Sequence, residues 1–191
     1  LKRDSRKGKS YALHSCSYDV IVAGASRAET VMSMDYPPLD DGSAYNAALK
    51  AGSMYEIRRM VEYALRHQDL EMVVVGLDFV SFDETLLSEQ DFEDSPLAET
   101  TPYFSLARYL FSLTTLNESL VTTKFNRSGR MVMCDDSGTH IRNKQRKPAR
   151  TAFDKILRQY SKGPYQRFTV GDFHLNNLRA MVKALDDADV Q

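Results

Sequence analysis

The chain has 191 residues, with 25 Lys+Arg against 26 Asp+Glu, 42% hydrophobic residues and two cysteines. That length suits one domain with a sizeable core, and the composition is that of a globular protein, which excludes wholesale disorder. A net charge of −1 argues against a dedicated nucleic-acid binder, and no apolar run approaches the roughly 18–20 residues of a membrane span.

The opening LKRDSRKGKS holds Lys2, Arg3, Arg6, Lys7 and Lys9 against Asp4. Residues 1–17 therefore read as a basic tail, either solvated or the stub of a juxtamembrane segment whose membrane anchor lies upstream of residue 1. Tyr18–Gly24 is a short apolar run ending in glycine, the pattern of a buried strand. After the turn-like Asp40–Ser43, Ala44–Leu49 reads as a weaker second strand. Ser53-Met-Tyr-Glu56 has the form of a capping box and opens a helix with Met54, Ile57, Val61, Ala64 and Leu65 along one face. Met72–Gly76 is a third strand, fully apolar and so expected at the centre of a sheet. This alternation is the rhythm of a parallel sheet wrapped by helices.

Downstream, the acids Asp83, Glu84, Glu89, Asp91, Glu93, Asp94 and Glu99 run without a Lys or Arg and read as a mobile loop. Thr101-Pro102 is a start signal for a long helix carrying Phe104, Ala107, Leu110, Phe111 and Leu120. Gly129–Cys134 is at best a short surface hairpin, and the basic run Arg142–Arg150 reads as solvated. A helix over Ala149–Ser161 is expected to turn Phe153, Ile156, Leu157 and Tyr160 inward. The last helix uses Leu175, Leu178, Val182 and Leu185. The expected fold is a three-layer α/β/α domain over residues 18–191 with a short parallel sheet. Doubly wound sheets usually have about five or more strands, so the last strands are expected beyond Gln191.

Spacing dismisses several motifs. Gly8-Lys9-Ser10 mimics the end of a P-loop, but the first glycine falls at Arg3 and no strand precedes it. Gly24-Ala-Ser26 follows a strand as a dinucleotide fingerprint does, yet Ser26 and Glu29 stand where glycines are required. His14, His67, His140 and His174 are scattered, and His14-Ser-Cys16 is too tight for a finger-type zinc pair. Neither a metal nor a cofactor is expected.

The informative positions lie just beyond the carboxyl ends of the strands, where open parallel sheets meet their ligands. Ser26 follows the first strand, Gly52 the second and Asp78 the third. A serine on a turn into a helix projects outward, with backbone N–H groups near it to stabilise an oxyanion.

Three blocks, Val22–Arg27, Tyr45–Ser53 and Val73–Phe79, resemble those of the SGNH (GDSL-type) hydrolase superfamily, in particular bacterial proteins with a Gly-x-Ser-Arg first block associated with surface polysaccharides and alginate acetylation. The resemblance covers residues 18–83. It implies an SGNH/flavodoxin-like fold and a serine esterase or acyltransferase acting on an acylated carbohydrate or small ester, periplasmic or membrane-anchored. By resemblance Ser26 is the nucleophile, the Ser26 and Gly52 N–H groups form the oxyanion hole, and Arg27 and Asn46 lie on the substrate side. Asp78 stands where the family has an asparagine amide. An ionised carboxylate only accepts hydrogen bonds, so Asp78 is expected to hold Arg27, the loop backbone or a substrate hydroxyl. The family also has Asp-x-x-His before its last helix, and this chain has Asp172-Phe-His174. Either Asp172 and His174 are a contracted acid–base pair, or Asp172 is a helix cap, His174 is solvated and the true base lies beyond Gln191. In the second case the isolated chain has little esterase activity. A non-catalytic SGNH-like domain that binds glycan or assists assembly in a polysaccharide pathway is the alternative function.

Overall fold

The computed structural model describes residues 6–32, 43–98 apart from 87 and 89, 168–190, and scattered helical positions between 116 and 161. In chain order these form α1 (Arg6–Ser15), β1 (Val20–Gly24), α2 (Ser26–Val31), β2 (Ala44–Asn46), α3 (Met54–His67), β3 (Met72–Gly76), a 3-10 turn (Phe79–Phe82), α4 (Gln90–Glu93) and α5 (Asp172–Asp187). The architecture is α/β: a three-stranded parallel sheet in the order β2-β1-β3, flanked by helices. Among the described strands β1 is central and β3 lies at its side. The expectation that β3 is central is corrected by burial: every residue of β1 is buried, whereas Val73 alone is buried in β3.

The two-residue period of a strand sends alternate side chains of β1 to opposite faces. Ile21 and Ala23 join Leu13 of α1, Met54, Ile57, Met60 and Val61 of α3 and Met181 of α5 in one core. Val20 and Val22 join Ala28 of α2, Ala44 and Ala48 in a second, smaller one. Each fully buried aliphatic side chain contributes about 1.5–3 kcal/mol.

The capping box of α3 is present: Ser53 Oγ accepts the Glu56 N–H at 3.3 Å, and Glu56 accepts the Ser53 N–H at 3.1 Å. At the far end the Gln68 amide donates to the carbonyls of Leu13 and Cys16 and accepts the Tyr18 N–H. One side chain thus ties the end of α1 to the approach of β1.

The basic stretch read as a tail is, from Arg6 onward, a packed helix with its cations buried. The Arg6 guanidinium grips Glu56 in a bidentate pair at 3.0 and 2.7 Å and reaches Asp91 at 3.1 Å. Lys9, fully buried, donates to the carbonyls of Asn46 at 3.1 Å and Ala48 at 2.5 Å and lies 3.4 Å from Glu29. The acidic run is its complement and not a free loop. Asp91 and Asp94 face Arg6 and Lys7, and between them Phe92 is buried in the core, as is Leu97 just beyond.

The expected helix from Thr101, the hairpin at Gly129–Cys134 and most of the basic run lie outside the described residues. In the Ala149–Ser161 segment the described Phe153 and Leu157, expected inward, are exposed. The last helix buries His174, Asn177 and Met181 and leaves Val182 exposed. Among the described residues no helix is long and apolar enough to cross a membrane.

Candidate functional site at the carboxyl ends of the strands

In the order β2-β1-β3 the chain leaves β1 for one neighbour and returns to the other side, so the loops after β1 and β3 part company. Such a switch point is where open parallel sheets bind ligands. The register pairs Gly24 with Gly76, so Ser26 and Asp78, each two residues further on, emerge level with one another.

Both glycines are required by close approach. A Cβ on Gly76 would lie 2.7 Å from the Ala28 Cβ; on Gly24 it would lie 2.7 Å from the Gly76 carbonyl oxygen, and Gly24 has a φ of +149°. With no side chain at either position, α2 sits directly on the sheet. That fixes where its first residue, the half-buried Ser26, stands.

Asp78 caps the 3-10 turn, accepting the Val80 N–H at 3.4 Å through Oδ1. Its Oδ2 is 3.4 Å from Arg27 Nε. Asp78 is buried and Arg27 exposed, so this pair across the switch point adds about 0–1 kcal/mol. Its consequence is local: the carboxylate beside Ser26 is balanced by a cation.

The other strand-end residues are engaged within the fold. The Gly52 N–H donates to the Leu49 carbonyl at 3.1 Å, and the Gly52 carbonyl accepts the buried Ser81 hydroxyl at 2.9 Å. Asn46 has no exposed surface. Its amide donates to the Ala28 and Met32 carbonyls, each at 3.2 Å, and accepts the Ala48 N–H at 3.1 Å. Asn46 thereby anchors α2 to β2, and Ser81, which sequence reading missed, ties the exit of β2 to that of β3.

The amino end of α5 is delivered to the same end of the sheet by backbone pairing. Asp83 bridges Val170 in antiparallel fashion, the Glu84 N–H donates to the Thr169 carbonyl at 2.9 Å, and the Gly171 N–H to the Phe82 carbonyl at 3.1 Å. Phe168 stacks on Phe79 with ring centroids 3.6 Å apart. The N-cap of α5 is Gly171, and no side chain caps the helix.

Asp172 is exposed and His174 is 2% exposed, with Nδ1 buried and unpartnered. The simpler expectation, Asp172 as cap and His174 in solvent, is thus corrected by the helix geometry. Burial pushes the His174 pKa below the ordinary value, and the Asp83 backbone carbonyl and carboxylate oppose that shift. Burial thus favours the neutral form of the imidazole.

Among the described residues no group of three or more His, Cys, Asp or Glu side chains is arranged to hold a metal ion. His140 and Cys134 lie outside the described residues. The chain matches no model of a known protein family, no curated protein and no solved structure.

Proposed function

We propose that the chain is an SGNH-like serine esterase or acyltransferase acting on acylated carbohydrate, with Ser26 as nucleophile and His174 as base. The observation that carries this reading is the position of Ser26: it opens a helix at the switch point, level with Asp78, with α2 held down by the Gly24–Gly76–Ala28 contact. A serine hydroxyl needs a base to become nucleophilic at neutral pH. A neutral, buried histidine on the turn bridged to the exit of β3 has the right chemistry. In this reading His174 takes the Ser26 hydroxyl proton as Oγ attacks the acyl carbon, and returns it to the departing sugar oxygen.

One observation favours the alternative, a non-catalytic domain that binds glycan. The Gly52 N–H, one of the two expected oxyanion donors, is already engaged with Leu49, and Asp78, where the family has an amide, has no proton to donate when ionised. Release of acetate from an acetylated oligosaccharide by the wild-type chain, and its loss in Ser26→Ala, separates the two. Binding of the oligosaccharide without acetate release supports the alternative.

A further inference from the structure

Two carboxylates are candidates to balance charge on His174. Asp172 is its neighbour in sequence, but residues two apart on a helix do not share a face. Asp172 is accordingly exposed while His174 is buried. Asp83 is distant in sequence and near in space. Its backbone is bridged to Val170 and flanked by the Glu84–Thr169 and Gly171–Phe82 hydrogen bonds, and α5 begins immediately after this short pairing. The Asp83 side chain is buried and does not rotate freely, because Oδ1 accepts both the Thr85 N–H at 3.0 Å and the Thr85 hydroxyl at 2.8 Å. Glu84, the other acid against Gly171, is exposed like Asp172.

We propose that Asp83, and not Asp172, is the carboxylate partner of His174, balancing from a fixed position the positive charge that forms when His174 accepts a proton. The inference rests on His174 serving as the base. It departs from a pairing of sequence neighbours: the partner comes from the exit of β3 through a two-residue antiparallel contact. A buried imidazolium with no balancing charge is costly, and Asp83 supplies that charge from a fixed position. The electrostatic influence of the Asp83 carboxylate on the ring runs in the direction required.

The test uses the full chain with Asp83→Asn, Asp83→Glu and Asp172→Asn, and reads the His174 imidazole pKa by NMR and the rate of labelling by a fluorophosphonate. Asp83→Asn keeps an oxygen for Thr85 and removes the charge. It is expected to lower the His174 pKa and slow labelling by roughly 10²-fold or more, while Asp83→Glu restores the pKa and Asp172→Asn changes neither readout. A His174 pKa that moves in Asp172→Asn and stays in Asp83→Asn overturns the assignment. Should Asp83→Asn fail to fold, a shift in Asp172→Asn alone still overturns it. Failure of the wild-type chain to label counts against the hydrolase reading, and the NMR readout then decides the Asp83–His174 link by itself.

Discussion

Substituting Gly76 by Ala tests how α2 is held against the sheet. The added Cβ would lie 2.7 Å from the Ala28 Cβ, where ordinary contact is 3.4–4 Å. Overpacking of this kind costs about 1–3 kcal/mol. Removing a glycine from the unfolded chain offsets about 0.5–1 kcal/mol, so the net loss is at most about 2.5 kcal/mol. In a chain of this size that is a fall in Tm of up to about 10 °C. The diagnostic is the double variant with Ala28→Gly, which deletes the atom that is struck. Ala28→Gly alone costs roughly 1 kcal/mol of helix propensity, yet with Gly76→Ala the pair should lose less than the sum, with a coupling of about 0.5 kcal/mol or more. Gly24→Ala behaves differently: its Cβ would strike the Ala28 Cβ at 2.8 Å but also the Gly76 carbonyl oxygen at 2.7 Å, and its φ is +149°, so Ala28→Gly relieves only part of its cost. Urea unfolding of the set gives the cycle. Additivity within about 0.3 kcal/mol for the Gly76–Ala28 pair refutes the close-approach reasoning.

Three further outcomes are expected. Glu56→Ala strips the buried Arg6 of its bidentate partner and removes half of the capping box, so urea unfolding should show a loss of about 3–5 kcal/mol; a loss under about 1 kcal/mol would mean that Arg6 finds water or another acid. His174 has a folded pKa below its unfolded value of 6.5, so the unfolded chain binds the extra proton as pH falls. The stability this contributes is complete above about pH 6.5 and declines below it. In a His67→Gln background, which removes a second histidine lowered by burial, His14 and Arg66, His174→Gln should flatten the pH dependence of the urea midpoint, and an unchanged slope counts against the buried, neutral ring. Ser26→Ala should leave Tm nearly unchanged, since Ser26 is half-buried and small; a large drop by differential scanning calorimetry would mark the serine as structural.

Local signals in the sequence carry the sheet and α3. The apolar runs of β1 and β3 end in glycine because α2 presses on both ends, and the Ser53–Glu56 box needs only four consecutive residues. The packed helix α1 was hidden because its cations are buried only by acids far along the chain. Arg6 is neutralised by Glu56 and Asp91, and each half, seen alone, has the composition of a solvated segment. The same separation divides the candidate site. Ser26 and Asp78 follow strand ends and are visible as such, whereas Asp83 reaches the turn of His174 through a bridge to Val170 that no periodicity announces. Asn46 was visible as a residue at a strand end, but its role as an anchor depends on the Ala28 and Met32 carbonyls, which only the folded chain brings to it.

The nucleophile is tested most directly by reacting the full chain with a fluorophosphonate and mapping the adduct by peptide mass spectrometry. A single adduct on Ser26, formed faster as pH rises through the titration of His174 and absent in Ser26→Ala, is the expected result. An adduct on another residue, or labelling that persists undiminished in Ser26→Ala, contradicts the assignment of Ser26.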